Sequence, residues 1–288
     1  MPSSTKMPPR KSNLGVKILG AGGVVVLLVL IRVFTGEGNG TGLFAKKVES
    51  TIDVKNLRRA TKFDGILEDM YVDWYYGTLH AKVAAGKRDD VLILCIHGED
   101  EKSTWEHWRP NLGVLTKYGK VLMISMPGFG ESTLPLKRGS DPRARKKAIR
   151  RILDEEGITK TGDSRTLIVI SKGLNLKPAI DFFLYTPKGP KSTVDDLTDK
   201  LAGLVLISGG YLMRKEAYLL PEAHTLLLWS AWDATLPAKF SDKLMALFNP
   251  AKTDRVVFPN LVTHDPETED PILFESAMDS WISARKVV

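Results

Sequence analysis

The chain has 288 residues, 43% of them hydrophobic, enough to bury one large core, and no internal repeat divides it. Its formal charge of +7 is unevenly placed: five of the 41 Lys and Arg residues and none of the 34 acids fall within residues 1–34. The remainder, with 36 basic against 34 acidic groups, is nearly neutral, which argues against a dedicated nucleic-acid binder. The single cysteine, Cys95, rules out an internal disulfide framework.

Residues 1–13 form a polar tail carrying Lys6, Arg10 and Lys11. Residues 18–31, ILGAGGVVVLLVLI, are uncharged and bounded by Lys17 and Arg32. At 1.5 Å per residue they cover about 21 Å of a hydrocarbon core about 30 Å thick. Leu14, Val16, Val33 and Phe34 extend the apolar character, and Lys17 and Arg32 can snorkel to the headgroups. A single transmembrane helix over 14–34 is therefore expected. A cleaved signal peptide and a buried helix compete with it, but RVFTGEGNGTGLFAKK offers no A-x-A-like cleavage site. The basic flank places the N-terminus on the cytoplasmic or matrix side. Gly20, Ala21, Gly22 and Gly23 would let a second helix approach closely. The expected setting is an integral membrane protein whose partners are the bilayer and other subunits of a membrane complex. The mitochondrial inner membrane is favoured, with a type II protein of the secretory system sharing the same layout.

Residues 35–64 read as a Gly-rich linker and an N-terminal extension whose polar stretch 46–64 suggests a strand and a short helix of no evident role. The sequon Asn39-Gly40-Thr41 carries little weight by itself. One domain is expected over 65–288. YVDWYYGTLHAKVAA predicts an antiparallel hairpin with Gly77 near its turn. Strands follow at about 91–97, 120–125, 166–171, 203–208, 225–230 and 254–259, separated by helices. Near-continuous apolar strands alternating with helices predict an α/β fold, a mostly parallel sheet covered on both faces.

Five sequence features sit at the ends of these strands. In VLILCIHGED the apolar run leads into His97-Gly98, and PGFGES, from Pro127 to Ser132, is a turn. TLIVISKGLNLKPAIDFFLYTP reads as a strand running through a sharp turn into a helix, and Asp233 and His264 each lie just past a strand. Over roughly 70–281 this pattern resembles the α/β-hydrolase fold superfamily. That family carries a nucleophile in a G-x-S-x-G elbow, followed in chain order by an acid and a histidine. The resemblance implies that Asp233 and His264 stand at the acid and histidine positions, and that His97-Gly98 builds the oxyanion-hole turn.

The elbow admits two registers. Counting back from LYTP puts Gly173 at the nucleophile position, with Ser171 and Asn175 at the flanking small positions, and the nucleophile is then missing. The alternative makes Ser171 the nucleophile, but branched Val169 would then fill the tight position two before it. The first register is favoured. Asp233 can equally be a turn residue before a helix start. His97-Gly98 and the 127–132 turn can be retained for backbone geometry alone. The resemblance also implies a lidless member, since 209–224 is too short for the usual helical insertion.

Residues 141–157 predict a helix with an apolar stripe of Ala148, Ile149, Ile152 and Leu153 and a basic face of Arg143, Lys146, Lys147, Arg150 and Arg151, extended by Lys137 and Arg138. A solvated surface and a site for anionic lipid, RNA or an acidic protein are both open. No metal or nucleotide motif is present, and no cofactor is expected. Two functions follow. The favoured one is a catalytically degenerate accessory subunit of a membrane complex. The other is a membrane-anchored serine hydrolase of an ester, lipid or thioester using Ser171, His264 and Asp233.

Overall fold

The computed structural model describes residues 50, 60–99, 103–133, 141–183, 195–209, 223–246 and 248–288. The expected tail, span and linker over 1–49 lie outside these residues, as do Lys137, Arg138 and the 210–222 stretch bearing on a lid. Among the described residues no helix is long and apolar enough to cross a membrane.

Eight strands form one sheet in the order β1-β2-β4-β3-β5-β6-β7-β8. Strands β1 (Leu67–Trp74) and β2 (Gly77–Ala84) make the antiparallel hairpin, and Gly77 supplies φ +132 just past its tip, a value that L side chains rarely adopt. Strand β2 pairs antiparallel with β4 (Lys120–Ser125). From there β4, β3 (Val91–Ile96), β5 (Thr166–Lys172), β6 (Leu201–Ile207), β7 (His224–Ser230) and β8 (Thr253–Phe258) are all parallel. All six expected strands appear within two residues of their expected ends.

The side-chain period of two sorts the apolar residues onto two faces. In β5, Leu167 and Val169 join one core with Ile149 and Ile152 of helix α2 (Pro142–Glu156) and Ile180 of α3 (Leu176–Phe183). Ile168 and Ile170 join the other, with Leu115 of α1 (Leu112–Tyr118) and Phe274 and Trp281 of α7 (Pro271–Arg285). Full burial of each such side chain contributes roughly 1.5–3 kcal/mol, so both layers are needed to hold the sheet. The remaining helices are short: α4 (Asp195–Thr198), α5 (Lys239–Met245) and α6 (Pro266–Glu269), with a 3-10 helix over Trp105–Asn111.

The described end of the N-terminal extension has a place. Thr61 donates through its backbone N–H to Glu275 Oε2 at 2.6 Å and through its hydroxyl to Oε1 at 2.5 Å. A Cβ at Gly113 would stand 1.7 Å from the Thr61 carbonyl oxygen, so glycine is required where the extension crosses α1.

Candidate functional site

Strand β5 ends at Lys172, and the chain turns at Gly173 into a 3-10 turn, Gly173–Asn175, that leads to α3. Gly173 has φ +60, a left-handed value that glycine adopts at no steric cost. A Cβ built there would meet the Gly98 Cα at 3.6 Å, an ordinary contact, so it is the backbone angle rather than crowding at Cβ that favours glycine. Ser171 lies inside the strand, registered with Ile96 on one side and Leu206 on the other. Its hydroxyl is fully buried and has no hydrogen-bond partner. It makes no bond to His264.

Asn175, one of the two flanking small positions, carries a structural task that its spacing did not announce. Its Nδ2 donates to the carbonyls of His97 at 2.6 Å and Gly98 at 3.2 Å, and its Oδ1 accepts from Arg145 Nη1 at 3.0 Å. Arg145 also pairs with Glu99. The β3 turn is thereby clamped over the elbow. His97 completes the clamp: Met126 N–H donates to its Nε2 at 2.9 Å, so the proton sits on Nδ1 and is donated to Gly98 O at 2.5 Å. The 127–132 turn is held by Ser132, whose hydroxyl donates to Ser125 O at 2.6 Å and accepts from His80 N–H at 2.8 Å.

Asp233 divides its two carboxylate oxygens between a turn and a histidine. Oδ1 accepts the backbone N–H groups of Thr235 and Leu236, each at 2.8 Å, which makes the turn after β7. Oδ2 accepts from His264 Nδ1 at 2.7 Å. The carboxylate side chain is 1% exposed and the imidazole 22%. Because a carboxylate only accepts, the proton lies on Nδ1, leaving Nε2 as the acceptor nitrogen of the ring.

A second polar group was not legible in the sequence. Lys172, the residue before the elbow tip, turns to the α1 and α7 side of the sheet and is 1% exposed. Its ammonium donates to Glu267 Oε1 at 2.8 Å, contacts His107 Nε2 at 2.9 Å and pairs with Asp265. Glu267 is fully buried and also bonds His107. Burial pushes its carboxyl up, but the Lys172 ammonium and His107 outweigh that and hold it below the usual glutamate range. Asp265 follows His264 directly, so this cluster joins the elbow strand to the histidine loop.

Two groups of described residues bring histidine and carboxylate ligand atoms within 4.8 Å of one another: Asp69, His80 and Glu131, and His107, Asp265 and Glu267. In both an ammonium is already in contact, Lys82 with Asp69 at 2.5 Å and Lys172 with all three members of the second. These are the residues that could hold a cation, and no sequence motif announced them because they come from distant segments.

The expected basic face on α2 needs revision. Ala148, Ile149, Ile152 and Leu153 are buried as expected. Arg143 and Lys147 are exposed and Lys146 is half-buried. Arg150 pairs with Asp154 at 2.9 Å and Arg151 with Glu155 at 3.2 Å, both one turn along the helix, so part of the face is neutralised by its own acids.

No family model matches this sequence, and no curated protein matches it. Solved structures do. A predicted CIB-like hydrolase from Thermoplasma acidophilum is 18% identical, with a TM-score of 0.58 over 77% of this chain and 99% of that one. A lidless serine hydrolase from Xanthomonas campestris is 12% identical, with a TM-score of 0.60 over 77% and 96%. A bacterial membrane phospholipase A is 16% identical, with a TM-score of 0.58 over 76% and 87%. At these identities the likeness establishes the fold alone, and the chain has the α/β-hydrolase fold.

Proposed function

We propose that this chain is a non-catalytic α/β-hydrolase-like protein that serves as a structural or binding subunit of a membrane assembly. The observation that carries the reading is Gly173. The strand-to-helix turn has the left-handed backbone of an elbow tip, but no hydroxyl, thiol or carboxyl to attack a substrate. The Asp233 and His264 pair then has no nucleophile to deprotonate and acts as a polar contact that ties the β7 turn to the loop after β8. Ser171 does not rescue the triad, because a fully buried hydroxyl with no bond to the imidazole cannot pass it a proton.

The anchor proposed over 14–34 puts the domain at a membrane, and the mitochondrial inner membrane is the favoured location. Resistance to alkaline carbonate extraction tests the anchor, and native electrophoresis of mildly solubilised membranes tests the subunit reading. Migration of the whole population as a lone chain of 31.9 kDa would overturn the latter.

The second reading, a membrane-anchored serine hydrolase, is favoured only by the serine hydrolases and esterases among the solved structures of like fold. A fluorophosphonate probe separates the two. No labelling of the wild-type protein is expected. Labelling that disappears in Ser171→Ala would establish the hydrolase instead.

A further inference from the structure

The first ten residues of α2, 142–151, hold six basic side chains and no acid, whereas its three acids are all gathered in 154–156. This is the reverse of what the helix dipole favours, because cations destabilise the N-terminal turns and acids the C-terminal ones. The helix dipole therefore does not explain the arrangement; the pairs Arg150 with Asp154 and Arg151 with Glu155 account for part of it and leave Arg143 and Lys147. One of the six, Arg145, is buried against Glu99 and Asn175. Arg143, Lys147 and Arg151 recur at every fourth residue and so lie in one row about 12 Å long.

The far end of that row touches the β1–β2 hairpin, where Arg151 Nε donates to the Asp73 carbonyl at 3.0 Å. Two residues beyond Asp73 stands Tyr75, 90% exposed. It does not dangle there. Its ring packs edge-on against Tyr76, with centroids 4.8 Å apart, and Tyr76 packs in turn against Trp74 at 5.0 Å, which rests on the core. A short aromatic stack thus carries one tyrosine out from the domain near the Arg151 end of the row, where Arg151 is itself paired with Glu155 and the exposed cations are Arg143 and Lys147.

We propose that the Arg143, Lys147 and Arg151 row and the Tyr75 tip form one surface that rests on an anionic lipid bilayer. Tyrosine is amphipathic and settles at the headgroup level, while lysine and arginine beside it meet lipid phosphates. The geometry favours a bilayer over a folded acidic protein. Tyr75, 90% exposed, offers an amphipathic ring at the height a deformable headgroup layer accepts. The inference does not depend on the absent nucleophile, nor on residues 14–34 spanning the membrane.

The test uses the full-length chain bearing Tyr75→Cys labelled with an environment-sensitive dye. Cys95 is buried and burial pushes its thiol far up, so it does not compete for label. The labelled protein is reconstituted with vesicles of phosphatidylcholine alone or with phosphatidylglycerol admixed, and dye emission and quenching by headgroup-level spin-labelled lipid are read. A blue shift and quenching are expected with the anionic lipid and not the neutral one, both reversed by salt. Arg143→Glu with Lys147→Glu should abolish the effect, each removed cation weakening docking about fivefold. The same substitutions place acids near the helix N-terminus, so α2 should be no less stable, and circular dichroism separates lost docking from lost fold. Equal shifts in neutral and anionic vesicles, or a shift the double variant leaves intact, would overturn the proposal. So would a shift produced by RNA or an acidic protein and by no vesicle.

Discussion

Two polar groups lie past the ends of β5, β7 and β8, and they differ in burial and in charge. Asp233 and His264 form a single 2.7 Å bond at the rim, with the imidazole partly in solvent. Lys172, Glu267, Asp265 and His107 form a charged cluster beneath it, in which the lysine and Glu267 are almost wholly out of water. The two groups meet in the chain at one point, where Asp265 follows His264. The pair that resembles a catalytic site has one buried member, Asp233, and one partly exposed member, His264, whereas the cluster buries a full charge pair, Lys172 with Glu267. On the proposed reading, with no nucleophile at Gly173, the larger electrostatic contribution should reside in the cluster, where Lys172 and Glu267 are almost wholly buried.

The sharpest way to break this comparison is to remove the buried cation. Lys172→Met keeps the length and apolar stem but leaves Glu267 fully buried with its main counter-ion gone. Breaking a buried pair by deleting one partner costs about 3–5 kcal/mol. A large fall in the denaturant midpoint is expected at neutral pH, and a change within about 0.5 kcal/mol would show that the cluster is only decorative.

The pH dependence sharpens the same point. Glu267 is held below the usual glutamate value of about 4.3, so the stability it contributes is fully present above that value and is lost as pH falls through its folded value. The wild-type protein should therefore lose this contribution only below about pH 4.3. In Lys172→Met the sign should reverse, because burial without the ammonium raises the carboxyl and favours its protonated form. That variant should gain stability as the solution is acidified from neutrality. Parallel pH profiles for the two proteins would remove Lys172 as the source of the depression.

On the rim, the expected effect is smaller. His264→Ala leaves Asp233 with both backbone N–H donors on Oδ1 and exposes only Oδ2, beside a position already open to water. The loss should be about 1 kcal/mol, well short of the Lys172 effect. A cost equal to that of Lys172→Met would erase the distinction between the two regions.

The same contrast explains what the sequence could and could not announce. Runs such as VLILCI and TLIVIS declare strands because every residue is apolar, and Asp233 and His264 stand just past such runs, where strand ends deliver side chains to one edge of the sheet. Gly173 was legible because a glycine at a strand-to-helix turn has a specific backbone meaning. Lys172 was not, although the two-residue period that buries Ile168 and Ile170 assigns it to the same inward face. A charge at a strand end reads as the beginning of solvent, and its partners at 107, 265 and 267 are 65 to 95 residues away in the chain. Arg145 was hidden for a similar reason: among five basic neighbours on a helix, nothing local marked it as the one turned inward.

The smallest effect concerns Ser171, and it bears most directly on the choice between a degenerate and an active site. A buried hydroxyl without a partner has given up its bonds to water and gained none in return, which costs about 1–3 kcal/mol relative to a satisfied group. Ser171→Ala removes that unsatisfied oxygen and leaves a methyl group among Val169 and its apolar neighbours. The lost volume is small, so the two contributions nearly cancel, and stability should stay within about 0.5 kcal/mol of wild type or rise. Were Ser171 instead bonded to His264 as a nucleophile, the same substitution would strip the imidazole of its partner, and the ring would respond. The measurement is therefore the His264 ring signal by NMR in wild type and Ser171→Ala. An unchanged ring chemical shift at fixed pH, with stability unchanged or raised, is the outcome expected of a serine that belongs to the strand core. A displaced ring signal would tie Ser171 to the Asp233 and His264 pair and restore the triad.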